Sequence, residues 1–305
     1  MTRLSFLGPA GTFTHAALLS LAEADGAQPA PMSTVSQAIE ALRAGEVDGA
    51  VVPLENSVEG AVPATLDELA NGDPLVIVAE TYLPVVFDLL TRPQTTAVSS
   101  VATHPHAEAQ TRRWLRANLP EAQVALVGST ADGARAVAGG EYDAAIAPPV
   151  AASLYGLDVR AHDIADHTGA VTRFVLLSRP TAPPQPTGND RTTLVAYLRE
   201  NHAGALLEIL TEFATRAVNL TRIESRPTKN RMGRYCFSID CEGSIVEERV
   251  GDAVAALHRV CADVRYLGSY PRREGVQPDL PPGRSDAAFR EARDWLSRVR
   301  STGSS

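Results

Sequence analysis

A polar stretch that directly follows an apolar run is the part of this sequence best suited to ligand chemistry. The apolar residues 50–52 predict a buried strand, and Pro53 and then Glu55-Asn56-Ser57 come immediately after it. Because ligands bind at the carboxyl ends of strands in open α/β sheets, we expect these side chains to border a cleft. A carboxylate, a carboxamide and a hydroxyl together offer donors and acceptors, which suits a polar small molecule. The alternative interpretation is an ordinary loop with a helix cap.

Three further stretches could contribute to the same cleft. Gly8–His15 is a turn before a helix, where backbone N–H groups and the helix dipole favour an anion, although a plain turn with a threonine N-cap explains it equally well. Thr103-His104-Pro105-His106 precedes a second helix, and Gln110 lies in that helix. Thr172-Arg173-Phe174 opens an apolar strand. Pro105 lies between the two histidines, which argues against a metal site, so we predict none.

The elements that must position these residues contain an internal duplication. Ser33-Thr34 and Ser129-Thr130 each open a helix, and each helix leads into a segment of the form G-E-x-D-x-A-x-x-P. The two segments begin at Gly45 and Gly140, which are 95 residues apart. Two similar α/β lobes that present loops to a shared cleft are the simplest explanation. A chance match in an alanine-rich chain is the alternative.

A proline-rich linker at 180–190 separates this region from a compact distal unit. Between 191 and 272 the hydrophobic pattern predicts the order strand, helix, strand, strand, helix, strand, which is that of the ferredoxin-like fold. A turn at 229–233 is expected between the two middle strands, and no residue of this unit suggests catalysis. The chain is polar beyond 273, with a short helix predicted around Ala287–Val299.

Composition and charge exclude several classes of function. The chain has 305 residues and a net charge of −8, which argues against nucleic acid or an anionic membrane as the main partner. No stretch reaches the ~20 apolar residues of a membrane span, and the N-terminus has no signal-peptide pattern. Cys236, Cys241 and Cys261 are expected to be small core residues in a reducing compartment, which predicts a cytoplasmic location.

In order and spacing, these motifs resemble those of prephenate dehydratase. The resemblance covers about residues 3–271 and depends on Gly8–His15, Pro53–Gly60, Leu66–Leu69, Thr103–Gln110, Thr172–Phe174, Gly204–Leu207 and Glu224–Pro227. The last two segments look like those of the family's regulatory ACT domain. The chain departs from the family at two positions, because Ala170 replaces the usual asparagine and Thr103 replaces the usual serine.

The resemblance implies a two-lobed α/β catalytic domain, similar to type II periplasmic binding proteins, followed by an α+β ferredoxin-like ACT domain. The catalytic domain is expected to span residues 1–179. One of its lobes comprises roughly 1–78 together with 165–179, and the other comprises roughly 79–164. The linker is expected at 180–190, the ACT domain at 191–272 and a polar tail at 273–305. The implied reaction is the decarboxylative dehydration of prephenate to phenylpyruvate in L-phenylalanine biosynthesis, without a cofactor. No chorismate mutase segment precedes Phe6, so we expect a monofunctional enzyme.

The resemblance also implies roles for individual residues. Thr172 is the expected catalytic residue, and the expected substrate-binding residues are Gly11, Thr12, Glu55, Asn56, Ser57, Thr103, Gln110, Arg173 and Phe174. Among these, Arg173 and the amides of Gly8–Thr12 are expected to hold the substrate carboxylates, and Glu55 to orient its neighbours. L-Phenylalanine or another aromatic amino acid is expected to bind at a subunit interface of a homodimer or homotetramer. The expected effector residues are Gly204, Ala205, Leu206, Leu207, Glu224, Ser225, Arg226 and Pro227.

Two alternative functions are compatible with these motifs. The same dehydration could act on arogenate and give phenylalanine directly. A non-catalytic amino-acid sensor could combine the same two modules, although a pure binding protein need not retain Thr172. An assay for product formation separates these possibilities.

Overall fold

The computed structural model describes residues 2–228, 235–273 and 280–302. It contains two compact units, of which the first comprises Met1–Thr65 and Thr81–Leu177 and the second comprises Leu66–Glu80 and Ser178–Ser305. The turn predicted at 229–233 lies outside the described residues. The predicted domain boundaries stay a prediction. They assign residues 66–80 to the catalytic domain, whereas Leu66–Glu80 belongs to the second unit of the structure.

Strands and helices alternate along the first unit. The strands are β1 (Arg3–Leu7), β2 (Gln28–Met32), β3 (Gly49–Asn56), β4 (Gly60–Ala61), β5 (Val76–Pro84), β6 (Asp88–Thr91), β7 (Ser100–Thr103), β8 (Gln123–Leu126), β9 (Ala144–Ala147), β10 (Asp158–Ala161) and β11 (Val171–Ser178). The helices are α1 (Phe13–Ser20), α2 (Val35–Arg43), α3 (Pro63–Ala70), α4 (Pro105–Asn118), α5 (Thr130–Ala138) and α6 (Pro149–Tyr155). Helix α3 and strand β5 each cross the boundary between the two units.

The two sheets of this region repeat one arrangement, as the duplicated motif predicts. Their strand orders are β2-β1-β3-β11-β5 and β8-β7-β9-β6-β10. In each sheet, β1 or β7 is parallel to both of its neighbours. In the first sheet β11 is antiparallel to β3, and in the second sheet β6 is antiparallel to β9 in the same way. The chain therefore contains two lobes of the same topology.

Local contacts repeat at the same spacing of 95 residues. Thr34 and Ser129 are both N-caps, and each side-chain oxygen accepts a hydrogen bond from an N–H three residues on. Gly45 and Gly140 both adopt positive φ, 77° and 84°, which glycine tolerates without steric cost. The repeated sequence thus encodes a repeated helix start and a repeated helix end.

The aspartates of the repeated motif also make equivalent contacts. The carboxylate of Asp48 accepts a hydrogen bond from the N–H of Arg3, at the start of β1. The carboxylate of Asp143 accepts from the N–H groups and hydroxyls of Ser99 and Ser100, beside β7. The hydroxyl and N–H of Ser99 make the largest contributions to lowering the pKa of Asp143 to about 2.

The polar stretch after the apolar run belongs mostly to strand β3, so the alternative interpretation as an ordinary loop is wrong. Strand β3 continues through Pro53, Glu55 and Asn56, because both β11 and β4 pair with it. In this register Asn56 lies opposite Thr172. The turn begins only at Ser57, so the strand itself positions the carboxamide.

The second unit has the predicted order β-α-β-β-α-β. Its elements are β12 (Asp190–Tyr197), α7 (Ala205–Ala214), β13 (Leu220–Pro227), β14 (Tyr235–Glu242), α8 (Glu248–Val260), β15 (Asp263–Pro271) and α9 (Asp286–Thr302). The sheet order is β13-β14-β12-β15, and all neighbours are antiparallel. Helix α9 confirms the predicted C-terminal helix and extends it at both ends. None of the helices in the described ranges has the length and apolar character that a membrane span requires.

The cysteines confirm the prediction that they are core residues. Cys236, Cys241 and Cys261 are buried and form no disulfide. Burial raises the pKa of Cys241 to about 12 and that of Cys261 to about 11, so both thiols stay protonated and unreactive.

The segment Leu66–Glu80 packs against β12 and β15 of the second unit. Arg265 donates a hydrogen bond to the carbonyl oxygen of Gly72 over 2.9 Å, and Arg191 forms a buried ion pair with Glu80. A Cβ atom at Gly268, where φ is +123°, would lie 2.3 Å from the carbonyl oxygen of Ile77, so only glycine fits there. These contacts explain why the segment belongs to the second unit.

Candidate active site

A cavity of about 460 Å³ lies in the first unit, where β3 and β11 of one lobe face α4 and α5 of the other. Half of the ten residues predicted for catalysis and substrate binding line it. They are Thr12, Asn56, Gln110, Thr172 and Phe174. The structure thus brings together residues from four motifs that are far apart in sequence.

The hydroxyl of Thr172 is held by the carboxamide of Asn56. The amide oxygen of Asn56 accepts hydrogen bonds from the N–H groups of Val58 and Glu59, over 2.8 and 3.0 Å. Since this fixes the oxygen, the amide nitrogen Nδ2 must point to Thr172, and it donates to Oγ1 over 2.8 Å. Thr172 therefore accepts from Asn56, and its own hydroxyl hydrogen is available to a third group.

Ser57 contacts the backbone just before Thr172. Its N–H donates to the carbonyl oxygen of Val171, and the N–H of Val171 donates to the Ser57 hydroxyl oxygen, both over 2.9 Å. Ser57 is not among the residues that line the cavity, and neither is Glu55, which lies opposite Arg173 in the β3–β11 register. The structure supports a positioning role for Ser57, and the substrate-binding roles of Ser57 and Glu55 stay predictions.

Three other predicted residues lie outside the cavity lining. Thr103 is fully buried, and its hydroxyl donates to the carbonyl oxygen of Ile146 over 2.9 Å. Arg173 is only 3% exposed. The N–H of Gly11 donates to Nδ1 of His15 over 3.1 Å, so this amide already has a partner. Substrate binding by these three residues stays a prediction.

His15 positions the turn that contains Gly11, a role that the sequence did not indicate. Burial lowers its pKa, so the ring stays neutral and its Nδ1 can accept the hydrogen bond from Gly11. The ring also stacks on Phe6, with 5.1 Å between ring centroids. The only signal in the sequence was its place at the end of the Gly8–His15 motif.

Helix N-termini supply the positive electrostatic potential of the cavity. Helices α1, α4 and α5 are capped by Thr12, His104 and Ser129, and all three caps line the cavity. The described residues of the lining include no arginine or lysine. Because the N-terminus of a helix attracts anions, the cavity can hold carboxylates without a cationic side chain.

His104 contributes a neutral donor. Its Nδ1 accepts a hydrogen bond from the N–H of His106, so the ring hydrogen resides on Nε2. Burial and, to a smaller extent, the nearby His106 lower the pKa of His104, which keeps the ring uncharged at neutral pH. Over the described parts of the chain, no group of three or more His, Cys, Asp or Glu side chains could hold a metal ion.

A second cavity, of about 470 Å³, lies in the second unit between the start of α7 and the strands β13 and β14. Five of the eight residues predicted to bind an effector line it. They are Gly204, Ala205, Leu206, Leu207 and Ser225. The apolar side chains Leu198, Leu210 and Phe237 line the same cavity.

The remaining predicted effector residues lie outside this lining. They are Glu224, Arg226 and Pro227. Arg226 follows Ser225 on β13, so its side chain points to the opposite face of the sheet, where it forms an ion pair with Asp67 over 2.8 Å. Direct effector binding by Glu224, Arg226 and Pro227 stays a prediction.

Two known protein families match this chain. Residues 4–182 match the family model for prephenate dehydratase, and residues 192–259 match that for the ACT domain. The chain belongs to the prephenate dehydratase family. Membership confirms the resemblance and the fold class predicted above, and it makes the chain a carbon–oxygen lyase with a regulatory ACT domain.

Relatives of this prephenate dehydratase family member match over nearly the whole chain. A prephenate dehydratase from Amycolatopsis methanolica is 50% identical over 300 residues, which cover 98% of each chain. The crystal structure of prephenate dehydratase from Arthrobacter aurescens in complex with L-Phe is 46% identical, covers 98% of this chain and 100% of that one, and has a TM-score of 0.90. The structure of GqqA, described as a novel type of quorum quenching acylase, is 30% identical to this chain. It covers 88% of this chain and 97% of that one, and its TM-score is 0.79.

Proposed function

We propose that this chain converts prephenate to phenylpyruvate, carbon dioxide and water, and that L-phenylalanine regulates it through the ACT domain. The observation that best supports the activity is the Thr172 hydroxyl, which Asn56 orients in a cavity of the first unit. Loss of carbon dioxide and hydroxide restores an aromatic ring, so the reaction is downhill and needs no cofactor. The protein has to orient the ring and assist the departing hydroxide.

Thr172 assists the leaving group by hydrogen bonding. As the ring–carboxylate bond breaks, its electron pair enters the ring, and the ring–hydroxyl bond breaks at the opposite carbon. An alcohol is about as weak an acid as water, whose pKa is ~15.7, so full proton transfer from Thr172 is unfavourable. A hydrogen bond to the developing hydroxide stabilises the same charge without that cost, and the hydroxide takes a proton from the solvent to become water on release.

The N-termini of α1, α4 and α5 hold the two carboxylates of the substrate. Their caps line the cavity, and helix N-termini offer N–H groups and a favourable dipole to anions. The chain has Ala170 where the family usually has asparagine, so we assign the carboxamide beside Thr172 to Asn56. This arrangement positions a dianion although the described residues of the cavity lining include no arginine or lysine.

A spectrophotometric assay for phenylpyruvate tests this proposal. Purified protein should turn over prephenate, and a parallel reaction with arogenate should show less product, measured as phenylalanine. Faster turnover of arogenate would move the assignment to arogenate dehydratase. An absence of turnover with both substrates would favour a non-catalytic sensor or an acylase such as the 30%-identical relative.

L-Phenylalanine is the effector that we assign to the cavity of the second unit. Calorimetry should show binding of phenylalanine to the intact protein, with tyrosine and tryptophan titrated in parallel. Leu207, which is 66% exposed and lines the cavity, is a suitable probe. Leu207→Asp should abolish binding and inhibition while the basal rate is retained, because the change is in the ACT domain. Undiminished binding to this variant would contradict the assignment of the cavity.

The assembly and location of the protein complete the proposal. We propose a homodimer or homotetramer, because Leu206 and Leu207 line the cavity yet are 37% and 66% exposed, and a second subunit would cover them. Light scattering with and without phenylalanine distinguishes these states from a monomer. A cytoplasmic location is supported by three buried cysteines that form no disulfide.

A further inference from the structure

We infer that Glu59 is a positioning residue that fixes the carboxamide of Gln110, so that Gln110 presents its oxygen to the substrate. The inference rests on the dehydratase activity proposed above and adds a residue that the sequence did not indicate. Glu59 lies in the turn between β3 and β4 and lines the cavity. Gln110 lies on α4, in the other lobe.

The orientation of the Gln110 side chain follows from its contact with a carboxylate. Oε1 of Glu59 lies 3.1 Å from Nε2 of Gln110 and 3.4 Å from Nδ1 of His106. An ionised carboxylate can only accept hydrogen bonds, so the NH₂ group of Gln110 must face Glu59. The carbonyl oxygen of the amide then points away from Glu59. This oxygen has a fixed direction and can accept a hydrogen bond.

The turn that positions Glu59 is built by the same side chain that holds Thr172. The Asn56 amide oxygen accepts a hydrogen bond from the N–H of Glu59 over 3.0 Å, while the Asn56 amide nitrogen donates to Thr172. One carboxamide therefore orients both the catalytic hydroxyl and the carboxylate that orients Gln110.

Asp166 fixes the backbone of α4 at the same place. Its N–H donates to the carbonyl oxygen of Gln110 over 2.7 Å, and its carboxylate accepts from the N–H groups of Arg113 and Trp114. Asp166 lies six residues before Thr172 on the segment that leads into β11. Gln110 is thus fixed at its side chain by Glu59 and at its backbone by Asp166.

This arrangement suits the hydroxyl group that leaves the substrate. A hydroxyl is both a donor and an acceptor, and Thr172 can donate to its oxygen. A Gln110 oxygen held towards the cavity can accept its hydrogen, so that both hydrogen bonds orient the group before it leaves. Positioning of this kind affects kcat more than KM, because it holds the bound hydroxyl in the orientation from which it leaves and adds little to the strength of substrate binding.

Substitution of Glu59 by glutamine tests the inference with little change in shape. A glutamine can donate as well as accept, so Gln110 loses its fixed orientation. We expect kcat with prephenate to fall about tenfold, KM to change less and the unfolding midpoint to stay as in the wild type. Glu108→Gln is the matched control, since Glu108 lies on α4 but pairs with Arg112 and does not line the cavity. This variant should keep the wild-type kcat.

A double-mutant cycle and an NMR measurement complete the test. In a protein that already carries Gln110→Ala, Glu59 has no Gln110 carboxamide to orient. Glu59→Gln should then have almost no further effect on kcat, because the two residues act as a unit. The side-chain amide resonance of Gln110, assigned from its loss in Gln110→Ala, should shift in Glu59→Gln but not in Glu108→Gln. Wild-type kcat in Glu59→Gln, additive effects, or an unshifted resonance would overturn the inference. A wild-type protein that leaves prephenate unchanged would instead overturn the proposed function.

Discussion

Replacing Thr172 by alanine should lower kcat by about 10²- to 10³-fold and leave KM for prephenate nearly unchanged. This is the range found when a single donor to a developing negative charge is removed. The hydroxyl is the group that Asn56 orients in the cavity, and alanine removes it without changing the backbone of β11. Steady-state kinetics of phenylpyruvate formation measure both constants.

Two further variants sharpen this test. Thr172→Ser restores a hydroxyl and should recover most of the lost rate. Ser178 lies at the other end of β11, and its hydroxyl donates a hydrogen bond to the carbonyl oxygen of Arg179. Ser178→Ala should therefore leave kcat unchanged. If Thr172→Ala keeps full activity, Thr172 is not the catalytic residue.

Replacing Asp240 by alanine should reduce the free energy of unfolding of the second unit by about 3–5 kcal/mol. Asp240 is fully buried and accepts two hydrogen bonds of 3.0 Å from the guanidinium of Arg222 and one of 2.8 Å from the hydroxyl of Thr193. Alanine removes the carboxylate that accepts two hydrogen bonds from the buried guanidinium of Arg222. Guanidinium denaturation followed by circular dichroism measures the loss.

An exposed ion pair of the same unit is the control. Asp252 pairs with Arg216, but its side chain is 52% exposed. Solvent screens such a pair, so Asp252→Ala should cost no more than about 1 kcal/mol. If both variants lose the same free energy of unfolding, burial does not determine how much Asp240 contributes to stability.

Periodicity and repetition in the sequence predicted the elements well. Val35, Ile39 and Leu42 recur at helical spacing, and all three are buried on α2. The motif repeated at Gly45 and Gly140 predicted two lobes, because it encodes a complete helix end and the strand that follows. These features depend on local sequence, so a single chain is enough to recognise them.

Contacts between distant residues could not be predicted in this way. The motif that contains Glu55, Asn56 and Ser57 predicted three cleft residues, but β-strand alternation and the turn direct only Asn56 into the cavity lining. Glu59 approaches Gln110 from 51 positions away, and no spacing rule relates the two. Register and tertiary packing determine such contacts, and neither is visible in composition or periodicity.

The packing of Leu66–Glu80 on β12 and β15 also limits how far this protein can be divided into independent modules. The proline-rich linker looks like a natural point of cleavage, yet a chain ended there would still contain this segment. It would expose the backbone of Ile77 that Gly268 covers and leave the buried Glu80 without Arg191. Exchange of regulatory domains between relatives would therefore have to transplant an internal stretch of the catalytic sequence as well, so that the two parts are expected to evolve together.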